Sequence, residues 1–369
     1  MIKMLKDFVN QLTQPQATLF ASIISALIAI TIIFINRYFE KRKKNSEKYD
    51  AIKKYANPLI LSLEQLAWRL KEILEFKGAY LLPNAPENGF FKYKFESTVY
   101  RLCATLGWIE AAKKEQSYFS GIKVRQHNDI QIAIKAFQKV LADGSHVEVS
   151  IIDELIKLYK IEIKIISDNK RALLGVKMEE IVFKYIPSNV KRNVNELSVE
   201  KQIDLIKEIL DLICLETNQS QIDKTVIQEF RQTSINEISR EYCWIYRDWQ
   251  NAIGESMLKS IQNANRRFDI IGFAEFEELK AQNEWLSKPD ALFSAIDVSK
   301  ENRFDSRVSQ LKQLFGATSN LIVVLKNLID KQETISQESI DSLQKFNLTL
   351  GNTNRLKSKK RIKIKIKYE

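Results

Sequence analysis

The residues of this chain that could perform chemistry are few. The most suggestive group is Asp153 followed by Glu162-Ile163-Lys164. A carboxylate followed at a distance by E-x-K is the pattern of restriction-type nucleases, in which two carboxylates hold Mg²⁺ and the lysine steadies the attacked phosphate. A second, weaker match runs from Asp269 to Glu278-Leu279-Lys280. That chemistry needs E-x-K on a core strand. Both stretches read better as helix, where Glu and Lys two apart are ordinary solvated surface. Neither of the two histidines, His127 and His146, lies in an H-E-x-x-H string, and the chain has no G-x-S-x-G, Walker A or G-x-G-x-x-G string. Neither histidine follows an arginine by four to six residues, as helical ribonucleases of the HEPN type require. Cys103, Cys214 and Cys243 are far apart and form no C-x-x-C pair, so they read as small buried hydrophobes. The sequence therefore assigns no catalytic residue, no metal ligand and no cofactor.

A binding surface is the better candidate. Trp244, Arg247, Trp249, Gln250 and Glu255 gather tryptophan and arginine, the side chains enriched where partners dock. The competing reading buries both tryptophans and pairs Arg247 and Glu255 with other helices, since large aromatics are mostly buried.

These residues have to be positioned by helices, and the chain starts with the most conspicuous one. Ala17 to Ile35 is 19 residues long without a charge, and its polar side chains are the hydroxyls Thr18, Ser22, Ser25 and Thr31. That length approaches what one bilayer span needs, which predicts an N-terminal transmembrane helix over 17–36. Ala17, Ala21, Ser25 and Ala29 recur every four residues, so homotypic packing is a further expectation. Residues 1–16 show helical spacing of apolar side chains and read as a short interfacial segment ending at Pro15.

Charge gives the expected orientation. The net charge is +11, of which residues 1–54 carry +6 and residues 355–369 carry +7, leaving the body at −2. Lys41, Arg42, Lys43 and Lys44 follow the apolar stretch directly. Positive flanks stay in the cytoplasm, so the reading is an inner-membrane protein with its N-terminus out and its body inside. The same four residues, with Arg361, Lys363, Lys365 and Lys367 of the tail, are candidate contacts to an anionic leaflet. A body of negative charge disfavours nucleic acid as partner.

Residues 37–56 continue as a basic stalk. Asn57 and Pro58 then suggest the start of a new helix that ends at Gly78. Further helices are expected at about 95–119, from about 128 to 142, and at about 198–216, 225–262, 268–286, 301–331 and 337–347, with Ser234-x-x-Glu237 as a capping box. Residues 148–166 fit a helix whose second half alternates, so a short β element is expected at 160–166 or in the tail. The fold class is all-α: a helical domain over 57–350 followed by a basic tail at 351–369.

Three patches carry a resemblance. They are Tyr55-Ala-Asn-Pro58-Leu59 with Ala67 and Arg69-Leu70; Leu106-Gly107-Trp108-Ile109-Glu110; and Tyr246 to Met257 with Ile271-Gly272-Phe273 and Phe276. Together they resemble a group of largely uncharacterised bacterial proteins that pair an N-terminal hydrophobic segment with a helical cytoplasmic domain. The resemblance implies one continuous domain over about 50–330 and no catalytic residue. Heavy use of Lys, Ile and Asn agrees with a bacterial, AT-rich source. The functional expectation is a membrane-anchored helical interaction or scaffold protein, with the lipid bilayer at Ala17–Ile35, a protein partner and a second copy of the chain as its contacts. The alternatives are a membrane-associated effector of the phage-defence kind and the metal-dependent nuclease of Asp153, Glu162 and Lys164.

Overall fold

The computed structural model describes residues 13–115, 124–142, 147–162, 167–186, 194–261, 266–300, 305–329 and 334–351. Helix α1 runs unbroken from Gln14–Phe76, 63 residues, or about 95 Å. Pro15 sits in its first turn, where a missing N–H costs nothing, and the Gln16 side chain accepts from Thr13 N at 3.0 Å. Pro15 therefore opens the helix; residues 1–12, and with them most of the expected interfacial segment, lie outside the described residues. The hydroxyls of Thr18, Ser22 and Thr31 donate back to carbonyls four residues earlier at 2.7–2.9 Å.

The expected transmembrane helix is corrected. Among the described residues no helix is long and apolar enough to cross a membrane. After Ile35 the same helix becomes charged, at Arg37 and Glu40.

Pro58 does not open a new helix either. It lies inside α1, and the chain stays helical through it. The turns on both sides are locked by burial: Tyr55, Ala56, Leu59, Ile60, Leu63, Leu66, Leu70 and Ile73 are all buried, at the three- and four-residue spacing of one helix face. Lys77 and Gly78, both with positive φ, end α1.

On this face pack α2 (Gly89–Lys114), α12 (Ser306–Ile329) and α13 (Gln337–Thr349), while α3 (Val124–Leu141) packs on α12 and α8 (Arg247–Ser256) packs on α2. They share one hydrophobic core that includes Val99, Leu102, Phe137, Ile253, Phe276, Phe293 and Phe315. Helices α4 (Val147–Leu158), α5 (Asp168–Tyr185), α6 (Val199–Thr217) and α7 (Lys224–Ile238) enclose a second core around Leu155, Leu174, Ile206, Leu210 and Ile235. The molecule thus has two lobes, the second inserted between α3 and α8.

The long helix expected over 225–262 is broken. α7 stops at Ile238, a 3₁₀ turn spans Arg240–Cys243, and α8 follows. Ser234 is not a cap: it is fully buried, 2.8 Å from Tyr159 Oη and donating to Phe230 O. A β hairpin forms where none was expected, and the tail from residue 352, the other expected place, lies outside the described residues. β1 (Leu258–Ser260) pairs antiparallel with β2 (Phe268–Ile270) against α2, while 160–162 forms no strand and 163–166 lies outside the described residues. α9 (Phe273–Lys280), α10 (Glu284–Ser287) and α11 (Asp290–Phe293) complete the first lobe. The all-α class holds apart from this hairpin.

Candidate functional site

The nuclease pattern does not assemble. Asp153 lies on α4, half-buried, with its carboxylate 3.3 Å from Arg171 Nη1 of α5. Glu162 is exposed beyond the end of that helix, and Lys164 lies outside the described residues. In the second match Asp269 does lie on β2, but it pairs with Arg266 and accepts its neighbour's N–H. Glu278 is exposed, while Lys280 turns inward between Glu96 and Asp290, 2.7 Å from each. Among the described residues no cluster of three or more His, Cys, Asp or Glu side chains could hold a metal. The side chain of His127 and all of His146 lie outside the described residues.

The tryptophan–arginine cluster splits in two. Trp244 is buried in the second core. Gln250 is also buried, and its amide nitrogen donates to Gln138 O and Ile245 O at 2.9 and 2.7 Å. Arg247 is exposed and donates to Gln138 Oε1, and Glu255 is exposed and pairs with Lys114 at 2.8 Å. Of the two tryptophans, Trp249 is the part-exposed one, edge-on to Tyr246 and capped by Lys288, whose Nζ is 4.6 Å from the ring centre. These residues are close in sequence, but Trp244 precedes α8 and the turns of α8 carry the others to different surroundings. Lys41, Arg42 and Lys43 are exposed on α1; the side chain of Lys44 and residues Arg361, Lys363, Lys365 and Lys367 lie outside the described residues.

What the fold creates is a cleft where the lobes meet, of about 870 Å³. Clefts between lobes are favoured ligand sites because each lobe supplies a preformed wall. One wall carries Asn195, Gln232, Asn236 and Ser239, and the other carries Ser294, Asp297, Ser299 and Ser306. Asn236 bridges the two, its Oδ1 accepting from Ser306 N at 2.7 Å. The charges here are largely engaged already. Asp297 caps Ser299, accepting from its N at 3.0 Å and its Oγ at 2.6 Å.

Arg307, at the start of α12, holds the floor. Its fork takes both oxygens of Asp305 and also donates to the carbonyls of Ala291, Ser294 and Ala295 at 2.6–3.0 Å. Burial opposes its charge, but Asp305 outweighs this and holds the guanidinium pKa above its ordinary value. Ala295 has φ +51°, a left-handed conformation that costs an alanine strain, and its carbonyl is one of those that Arg307 holds. Cys243 lines the cleft, but burial pushes its thiol up to about 12, so it is no nucleophile at neutral pH. Nothing in the sequence around Arg307 pointed to this role, because the carbonyls it holds lie on α11 and on the loop that follows it.

Comparison with known proteins returns nothing: no protein-family model, no curated protein and no solved structure matches this chain.

Proposed function

We propose that this protein is a helical interaction or scaffold protein that takes up a polar segment of a partner in the cleft between its lobes. The observation that carries the reading is the cleft's chemistry. Its walls offer amides and hydroxyls, while Arg307, Asp305 and Asp297 are committed to the protein itself. Such a surface binds by hydrogen bonds to an uncharged or weakly charged chain and supplies no activated nucleophile or base.

The proposal includes a place at the bacterial inner membrane, with the body in the cytoplasm. Leu27, Ile30, Ile33 and Phe34 are half or more exposed on α1, and Lys41, Arg42 and Lys43 follow on the same helix. Apolar surface of this extent wants lipid or protein around it, and the cations behind it suit an anionic leaflet.

A photo-crosslinking residue at the exposed Gln232, in the cleft, tests the reading against one at the exposed Glu180, on α5. A single crosslinked partner from position 232 and none from 180 is the expected result. Equal crosslinking from both positions, or none from either, overturns it.

A further inference from the structure

The groove between the C-terminal part of α1 and α2 holds an imbalance of charge that the cleft does not involve. Arg69 of α1 is 5% exposed and lies beneath the 3₁₀ turn Ala79–Leu81. Its contacts are long: Nη1 donates to Tyr80 Oη at 3.4 Å and Nη2 to Ser97 Oγ at 3.5 Å. Its Nε is 3.5 Å from Glu72 Oε2, in ion-pair range, yet makes no hydrogen bond. Glu72 is not Arg69's alone, because its other oxygen pairs with Lys94 of α2.

Seven residues beyond Lys94, on the same face of α2, is Arg101. Its Nη1 donates to Gln65 O at 2.9 Å, and among the described residues no carboxylate lies within ion-pair range of it. Burial, and then the repulsion of Arg69, lowers its pKa below the usual guanidinium value. Arg69 and Lys94 therefore share one carboxylate, and Arg101, bonded to α1 one turn before Arg69, adds a third cation with no carboxylate of its own, near the hydroxyls of Tyr80, Ser97 and Thr98. A buried guanidinium N–H left unpaired is costly, as Arg69 Nε is here, so the arrangement gains by admitting an acceptor.

We propose that Arg69, Arg101 and Lys94 form a binding site for a small tetrahedral oxyanion of the phosphate class. Two guanidinium forks and an ammonium supply more donors than Glu72 can satisfy, and they suit the several oxygens of such an ion. Glu72 acts as the competitor that occupies part of the site when the anion is absent. Tyr80 and Ser97, both buried, lie against Arg69 on the inner side of the site.

Inorganic phosphate is the probe, titrated into the full chain at constant ionic strength with chloride as the balancing ion. Binding is read by thermal unfolding and by phosphorus NMR line broadening. The site predicts a saturable rise in melting temperature that chloride does not reproduce. Arg101→Gln should weaken phosphate binding at least tenfold while leaving the phosphate-free melting temperature close to wild type, since Arg101 makes one backbone bond there. Arg101→Lys should fall between the two, because it keeps charge but loses the fork. Glu72→Gln should bind severalfold tighter, and phosphate should recover the stability that this variant loses. A response that grows linearly without saturating, or one identical in wild type, Arg101→Gln and Glu72→Gln, overturns the site and leaves a structural ion cluster.

Discussion

Replacing Arg307 tests the two-lobe reading most directly. The side chain of Arg307 is 14% exposed and that of Asp305 is 20% exposed, so screening by water is limited. Arg307→Ala leaves Asp305 without its partner and frees the carbonyls of Ala291, Ser294 and Ala295. Breaking a buried pair from one side costs about 3–5 kcal/mol. Arg307→Lys keeps the charge but has no fork with which to hold Asp305 and three carbonyls together. Each hydrogen bond from a charged donor is worth about 1.5–3 kcal/mol; losing one or two places Arg307→Lys near half the cost of the alanine variant. The effect should be local as well as global, since the segment between Ser294 and Lys300 leans on this side chain and Ala295 is strained within it. Urea denaturation reads the global part. Tryptic cleavage after Lys300, timed under native conditions, reads the local part, and it should accelerate well before the protein unfolds. If Arg307→Lys matches wild type in both measurements, the fork does not organise the cleft and the reasoning fails. If Asp305→Asn added to Arg307→Ala recovers none of the loss, the stranded carboxylate was not the cost.

Three further outcomes are expected. Gly254→Ala should destabilise by about 1–3 kcal/mol in urea despite the better helix former, because a Cβ there would lie 2.9 Å from Leu106 O and 2.8 Å from Glu110 Cβ; an unchanged or higher midpoint would show that α8 and α2 can separate freely. Leu27→Arg should reduce flotation of the full chain with anionic vesicles, since this exposed leucine is part of the apolar surface proposed to meet lipid and its burial is worth about 1.5–3 kcal/mol; undiminished flotation would place the lipid contact elsewhere. Cys243 should resist alkylation at neutral pH until the protein unfolds. Its folded pKa, about 12, lies above the unfolded value, so its contribution to stability is complete below about pH 8.5 and falls as pH rises from there toward the folded value. Flat stability across that interval, or rapid labelling of the native state, would contradict the buried thiol.

Much of the helical architecture could be read from periodicity. The face Leu59, Leu63, Leu66, Leu70 and Ile73 recurs at helical spacing, and the same residues form the buried side of α1. α6 and α13 fall within one or two residues of their expected bounds, because Ser198 and Ser336 mark their starts by capping and helix period is a local property. The failures share a different cause. Asn57-Pro58 carries every local mark of a helix start, yet burial on both sides of it overrode the missing N–H. Ser234 and Glu237 had the spacing of a cap, but the partner that claimed Ser234 was Tyr159, 75 residues away. Lys280 read as solvated surface until Glu96 and Asp290, from two other helices, enclosed it.

The functional candidates divide along the same line. The sequence alone determined which residue types were present: few histidines, lone cysteines, an apolar N-terminal run, and a body of slight negative charge between basic ends. Those facts bear on chemistry because side-chain identity sets pKa and ligand preference before folding. Tertiary structure decided which residues meet. It drew Trp244 into the second core, left Trp249 part-exposed, placed Arg307 under the cleft, and set Arg69 and Lys94 on one glutamate with Arg101 bonded to α1 a turn away. No periodicity encodes such meetings, because each depends on how separate helices pack, and packing is settled by the burial of side chains distant from one another in the chain.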